Sequence, residues 1–97
     1  NYREQTALIY AAMYGYDKCV AILAKTSELG MKDNKGRTAL MFAAMCGHDN
    51  CVAILAKTSE LGMKDNKGRT ALMHATEKKY EKCIEILANT KESKMEK

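Results

Sequence analysis

A 23-residue string, CVAILAKTSELGMKDNKGRTALM, occurs twice in this chain, at residues 19–41 and at 51–73, displaced by 32 positions. Thr-Ala-Leu recurs on the same interval at 6–8, 38–40 and 70–72, so the 97 residues divide into three units, 1–32, 33–64 and 65–96, with one residue over. A fixed period of about 20 to 50 residues marks stacked supersecondary units rather than one closed core. No unit of this length hides its apolar side alone, so the three must lean on one another in a line, each needing only its neighbours. The constraint gives a single domain over 1–97, built as a solenoid, and the helical spacing within each unit makes it all-α.

Within the first unit, Ala7, Leu8, Ala11 and Ala12 follow the three- and four-residue spacing of an amphipathic helix, and Thr6 stands where an N-cap is needed. Gly15 ends that helix, because glycine enters the left-handed region without steric cost. A second helix starts near Asp17 and is expected to bury Cys19, Val20, Ile22 and Leu23, followed by a connection through Gly30 and Met31. The second unit repeats the plan, with turn chemistry at Asp33-Asn34-Lys35-Gly36, a first helix over Thr38 to Met45 and a second over Asp49 to Thr58. The short link through Gly47 makes the two helices antiparallel neighbours, and Leu61 and Met63 anchor the exit loop.

In the third unit Thr76 stands where the second has Ala44, Lys79 for Gly47, Ser93 for Leu61 and Lys94 for Gly62. Apolar and turn positions that would face a fourth unit have become polar, as at a terminal repeat whose outer side meets water. The first unit instead carries Tyr10, Tyr14 and Tyr16. That end is expected to meet an upstream unit or a partner, including a second copy of the chain.

The pattern D-x-x-G-x-T-A-L-M-x-A-A-x-x-G-H-x-x-C-V-x-I-L from Asp33 to Leu55 resembles the ankyrin repeat, which carries T-P-L-H-x-A, a later Gly-His and an apolar second helix. The resemblance runs through all three units. Its departures are Ala7, Ala39 and Ala71 in place of proline, Ile9, Met41 and Met73 in place of the first-helix histidine, and a unit one residue shorter than the usual ~33. It implies helix pairs with connecting turns projecting at about right angles, and a concave face of turn tips and first helices that binds proteins. The matching tip positions are Tyr2, Arg3 and Gln5, then Asn34, Lys35 and Arg37, then Asn66, Lys67 and Arg69. On the ends of the first helices they are Met13 and Tyr14, Met45 and Cys46, and Glu77 and Lys78. The function implied is that of a protein-interaction module. The alternative is a spacer or scaffold segment without a ligand of its own, which the identical tips of units two and three favour.

Other chemistries find little in the sequence. Cys46, His48 and Cys51 offer soft ligands at close spacing, and Met41, Met45 and Cys46 offer thioether and thiolate. Neither set recurs in the flanking units, His48 fills the repeat's Gly-His position, Cys51 lies on the periodic core face and methionine at helical spacing is read as core filler, so no metal or other cofactor is expected. Two histidines, no phosphate-binding glycine loop and no nucleophile-base pattern argue against an enzyme and a small-molecule substrate. Among the same columns His74, aligned with Phe42 and Tyr10, is read as filling a half-buried slot. Sixteen basic against twelve acidic residues give a net charge of +4. The basic edge at Lys35, Arg37, Lys67 and Arg69 lacks interleaved aromatic residues, so nucleic acid is an improbable ligand. No apolar run approaches the roughly 18 residues of a membrane span. Stacked helices lie about 8 to 10 Å apart, beyond the roughly 4.4 to 6.8 Å between disulfide-linked Cα atoms. Cys19, Cys51 and Cys83 are therefore expected to be reduced and buried, in keeping with a cytoplasmic protein, and Cys46 to be an exposed thiol.

Overall fold

Local capping chemistry sets the helices. In the computed structural model, which describes the backbone of residues 6–95 and the side chains as far as residue 90, Thr6, Thr38 and Thr70 are extended. Their Oγ1 atoms accept from the backbone N–H of Ile9, Met41 and Met73 at 3.1, 3.3 and 3.3 Å. These caps open α1 (Ala7–Tyr14), α3 (Ala39–Cys46) and α5 (Ala71–Lys78). Gly15 and Gly47 close the first two at φ 80° and 77°, donating their N–H to Ala11 and Ala43. Lys79 does the same for α5 at φ 64°, a conformation that costs a residue with a Cβ. The second helices, α2 (Asp17–Leu23), α4 (Asp49–Leu55) and α6 (Glu81–Met95), each begin with a carboxylate in the first turn, where the helix dipole favours it.

The helix expected over Asp49 to Thr58 ends at Leu55, α2 ends at the matching Leu23, and α6 is longer than either. Thr26 and Thr58 stop α2 and α4: each hydroxyl donates to the carbonyl three residues back, at Leu23 and Leu55 (2.6 Å), and accepts from the N–H of Glu28 or Glu60 (3.2 Å). Thr90 instead donates to Ile86, four residues back, which a continuing helix permits. Where the exit loops of the first two units need a positive φ at Gly30 and Gly62, the third has Lys94, and α6 runs on to Met95. The backbone of Ser93 and Lys94 lies in that helix; their side chains fall outside the described set.

Helices α1, α3 and α5 form one row and α2, α4 and α6 a second. Leu8, Ile9, Leu40, Met41, Val20, Val52, Leu55 and Leu87 fill the space between them, and Ala12, Ala43, Ala44 and Ala75 let the helices approach closely. Leu8 and Leu40 are fully buried, and Leu72 packs against the same core half-covered. Full burial of a side chain such as Leu40 contributes about 1.5 to 3 kcal/mol. No described helix is long and apolar enough to cross a membrane.

Burial along each column depends on whether another pair precedes it. Ala39, Phe42 and Cys51 are covered by α1 and α2, and Ala71, His74 and Cys83 by α3 and α4, but Ala7, Tyr10 and Cys19 of the first unit are exposed. This corrects the expectation that all three column cysteines are buried. Ile22, expected on the buried face of α2, is 68% exposed for the same reason. All four cysteines are free. Burial, reinforced by Asp17 and Asp49, pushes the Cys51 thiol up to about 11.

Candidate interaction face

The turns that lead into α3 and α5 are held by their own carboxylates. Asp33 Oδ1 accepts from the N–H of Lys35 (3.0 Å) and of Arg37 (2.9 Å), and Oδ2 meets Arg37 Nε (2.9 Å) and Nη2 (2.8 Å). Asp65 repeats this with Lys67 and Arg69, the N–H distances both 2.9 Å and the Nε contact 3.3 Å. Burial alone would raise both carboxyls, but the hydrogen bonds from Arg37 outweigh it at Asp33, and those from Arg69, Lys67 and His74 hold Asp65 down to about 2. Both aspartates are therefore charged and saturated at neutral pH.

Adjacent tips are also tied to each other. The Asn66 N–H donates to the Lys35 carbonyl at 3.0 Å, Asn66 Nδ2 to the Asn34 carbonyl at 3.2 Å, and Lys32 Nζ to the Lys64 carbonyl at 3.1 Å. Gly36 makes this approach possible: at φ 78° a Cβ there would also stand 2.8 Å from Asn66 N. Between the tips lies a groove lined by Lys35, Arg37, Asp65, Asn66, Lys67 and Arg69.

The residues singled out from the sequence occupy three situations. Asn34, Lys35, Asn66 and Lys67 are exposed at the tips, and Tyr14, Cys46, Glu77 and Lys78 are exposed on the ends of the first helices. Met13 and Met45 are half-buried against the core. Arg37 and Arg69 are half-buried and already engaged: Arg37 also lies 4.7 Å from the centre of the Phe42 ring, a cation-π contact, and Arg69 Nη1 reaches Glu77 at 3.7 Å. Tyr2, Arg3 and Gln5 lie outside the described residues. The tips of units two and three thus converge on one groove, while Tyr14 sits apart in a tyrosine cluster. Its ring centre is 6.4 Å from that of Tyr10 and 6.2 Å from that of Tyr16.

Two polar residues do more than their sequence context suggests. Glu60 is 1% exposed; its Oε1 accepts from the Leu40 N–H (2.9 Å) and its Oε2 from the Gly30 N–H (2.8 Å), so one carboxylate ties the start of α3 to the exit loops of two successive units. Burial raises its carboxyl, against the pull of the two donors. Glu28 makes only the first of these bonds, to Leu8 N–H at 2.9 Å. His74 is buried rather than half-buried, covered by α3 and α4, with Nε2 3.0 Å from Asp65 Oδ2, a contact for which Phe42 in the same column of the unit before has no polar atom. Among the described residues no buried side-chain nitrogen or oxygen lacks a partner.

Each candidate metal ligand has a structural position. His48 Nε2 lies 3.0 Å from the Met13 carbonyl with its ring over Gly15, and Cys51 is buried in the stack. Among the described residues no three His, Cys, Asp or Glu side chains are grouped to hold a metal ion. Cys46 is exposed, yet partial burial raises its thiol against the opposing charge of Lys78, so it is a weak nucleophile at neutral pH.

No curated protein shows a significant match to the chain. The ankyrin repeat, whose members are generally protein-interaction modules without enzymatic activity, matches in three copies over residues 8–97. The three stacked helix pairs and this match together make the chain a member of the ankyrin-repeat family.

Proposed function

We propose that the chain is a protein-interaction module whose partner lies across the turn tips and the ends of the first helices. The observation that carries this reading is the cross-linked pair of tips, with Asn34, Lys35, Asn66 and Lys67 exposed around one groove. A surface fixed before binding loses little conformational entropy on association. Lys35, Lys67, Tyr14 and Lys78 are exposed, so their alanine variants should fold normally and lose partner affinity. Arg37 and Arg69 are poorer probes, because removing either leaves a buried aspartate without its cation. Selection of displayed protein fragments against the chain tests the proposal. Ligands lost on Lys35→Ala/Lys67→Ala or Tyr14→Ala support it; ligands indifferent to all of these variants favour the spacer reading.

A second surface, on the opening unit, favours association with a second copy of the chain. Tyr10, Tyr14, Tyr16, Ile22 and Met31 are exposed there, and Tyr10 and Ile22 lie in columns that are more deeply covered in the later units. Head-to-tail contact is opposed by Lys79. The His48 ring lies over Gly15 and the Tyr80 ring over Gly47, whereas the equivalent place on the third unit holds a lysine side chain. The copies would meet with their first units face to face. Self-association of this kind is read by analytical ultracentrifugation: a dimer abolished by Tyr16→Ser/Ile22→Ser supports it, and a monomer at all concentrations removes it.

A further inference from the structure

We infer that the segment bound at the tips is an acidic peptide in an extended, polyproline-II-like conformation, with a carboxylate at every third residue. This inference rests on the tip surface being the partner site, and adds the chemistry of what binds there.

Four cationic side chains line the groove, Lys35, Arg37, Lys67 and Arg69; Arg37 is paired with Asp33 and Arg69 with Asp65 and Glu77, which leaves the two lysines as its uncompensated charges. The Asp65 carboxylate is saturated by Arg69, His74 and two backbone N–H groups, so it offers no acceptor to a basic ligand. Lys35 and Lys67 are exposed, and neither pairs with a described carboxylate. They occupy the same register in successive units, 32 residues apart. Their turns are held in contact by Asn66 bonding to Lys35 and Asn34.

Spacing then selects the ligand. Lys35 and Lys67 hold the same register in successive units, whose helices stack about 8 to 10 Å apart, and that repeat distance is taken as the spacing of the two lysines. A polyproline-II segment rises about 3.1 Å per residue with three residues per turn, so residues i and i+3 project from one side about 9 Å apart. A β-strand would send i and i+3 to opposite faces. The polyproline-II form, which leaves its backbone free of internal hydrogen bonds and loses little entropy on docking, therefore matches the two lysines with carboxylates at i and i+3. A single-stranded nucleic acid would also meet the charge, but the tips of units two and three carry no aromatic side chain for its bases to stack on.

The test is selection from a random peptide library on the full chain, followed by titration of a synthetic peptide with glutamate at every third position, one of the same composition with its glutamates contiguous, and oligo-dT. Expected are selected ligands enriched in Asp or Glu at i and i+3. Expected too is tighter binding of the spaced peptide than of the contiguous one, lost at least about tenfold on Lys35→Glu/Lys67→Glu and on raising the salt. Ligands that depend on the two lysines yet show no acidic enrichment, or equal binding of the two peptides, would overturn the acidic, spaced ligand and leave the tip surface standing as the partner site. Selection of no ligand sensitive to the tips would overturn both. Tighter binding of oligo-dT than of any peptide would overturn the inference in favour of nucleic acid.

Discussion

Removing the Glu60 carboxylate should unfold the stack at a much lower temperature than any surface change of the same size. In Glu60→Ala the Leu40 N–H loses a charged acceptor at a fully buried site, a change worth roughly 1.5 to 3 kcal/mol. The Gly30 N–H, only partly buried, can recruit water in part and contributes about 1 kcal/mol more. The sum, about 2.5 to 4 kcal/mol, corresponds to a Tm lower by roughly 10 to 30 °C in a domain of this length. Glu60→Gln keeps one acceptor oxygen and should cost about half as much. Glu28→Ala, which loses a single part-buried bond, should cost about 1 kcal/mol. Urea unfolding followed at 222 nm gives the three values, and amide exchange at Gly30 and Leu40 locates the damage. A Glu60→Ala loss no larger than that of Glu28→Ala would refute the assignment of Glu60 as the tie between units.

Other perturbations separate backbone strain, packing and charge. Gly15→Ala places a methyl 2.8 Å from His48 Nδ1 at φ 80°, whereas Gly68→Ala has open space at φ 78°; urea midpoints should show losses of about 2 to 3 and about 1 kcal/mol. Lys79→Gly relieves a left-handed lysine and should raise stability by about 0.5 to 1 kcal/mol in the same assay. Asp65 is lowered from 3.8 to about 2, so the stability it contributes is complete above about pH 4 and is lost as the pH falls towards 2. Glu60, raised by burial from 4.5, has the opposite sign and contributes stability that is lost as pH rises through its folded value. Unfolding free energies measured from pH 2 to 5 should therefore be less pH-dependent in Asp65→Asn at the acid end of that range.

The period and the caps were legible because they depend on residues near one another in sequence: Thr6, Thr38 and Thr70 sit three residues before the N–H groups they cap, and Gly15 and Gly47 follow the helices they end. What depends on the next unit was not. Cys19 and Cys51 open identical 23-residue strings and differ in whether a helix pair covers them. Glu60 reads as a solvated loop residue beside Ser59 and Leu61. The signal available was that a glutamate holds this register in all three units, including Glu92, where the surrounding residues have changed. Arg37 and Arg69 read as free anchors, since the turn geometry that returns each to the aspartate four residues earlier is visible only in the fold.

Backbone amide chemical shifts, recorded as an acidic peptide with carboxylates at i and i+3 is titrated into the isotopically labelled chain, test the tip surface most directly. The expected footprint is Asn34, Lys35, Asn66 and Lys67, extending to Glu77 and Lys78. Shifts confined to α2, α4 and α6 would contradict the tip surface, and no shifts at high peptide concentration would contradict the acidic ligand.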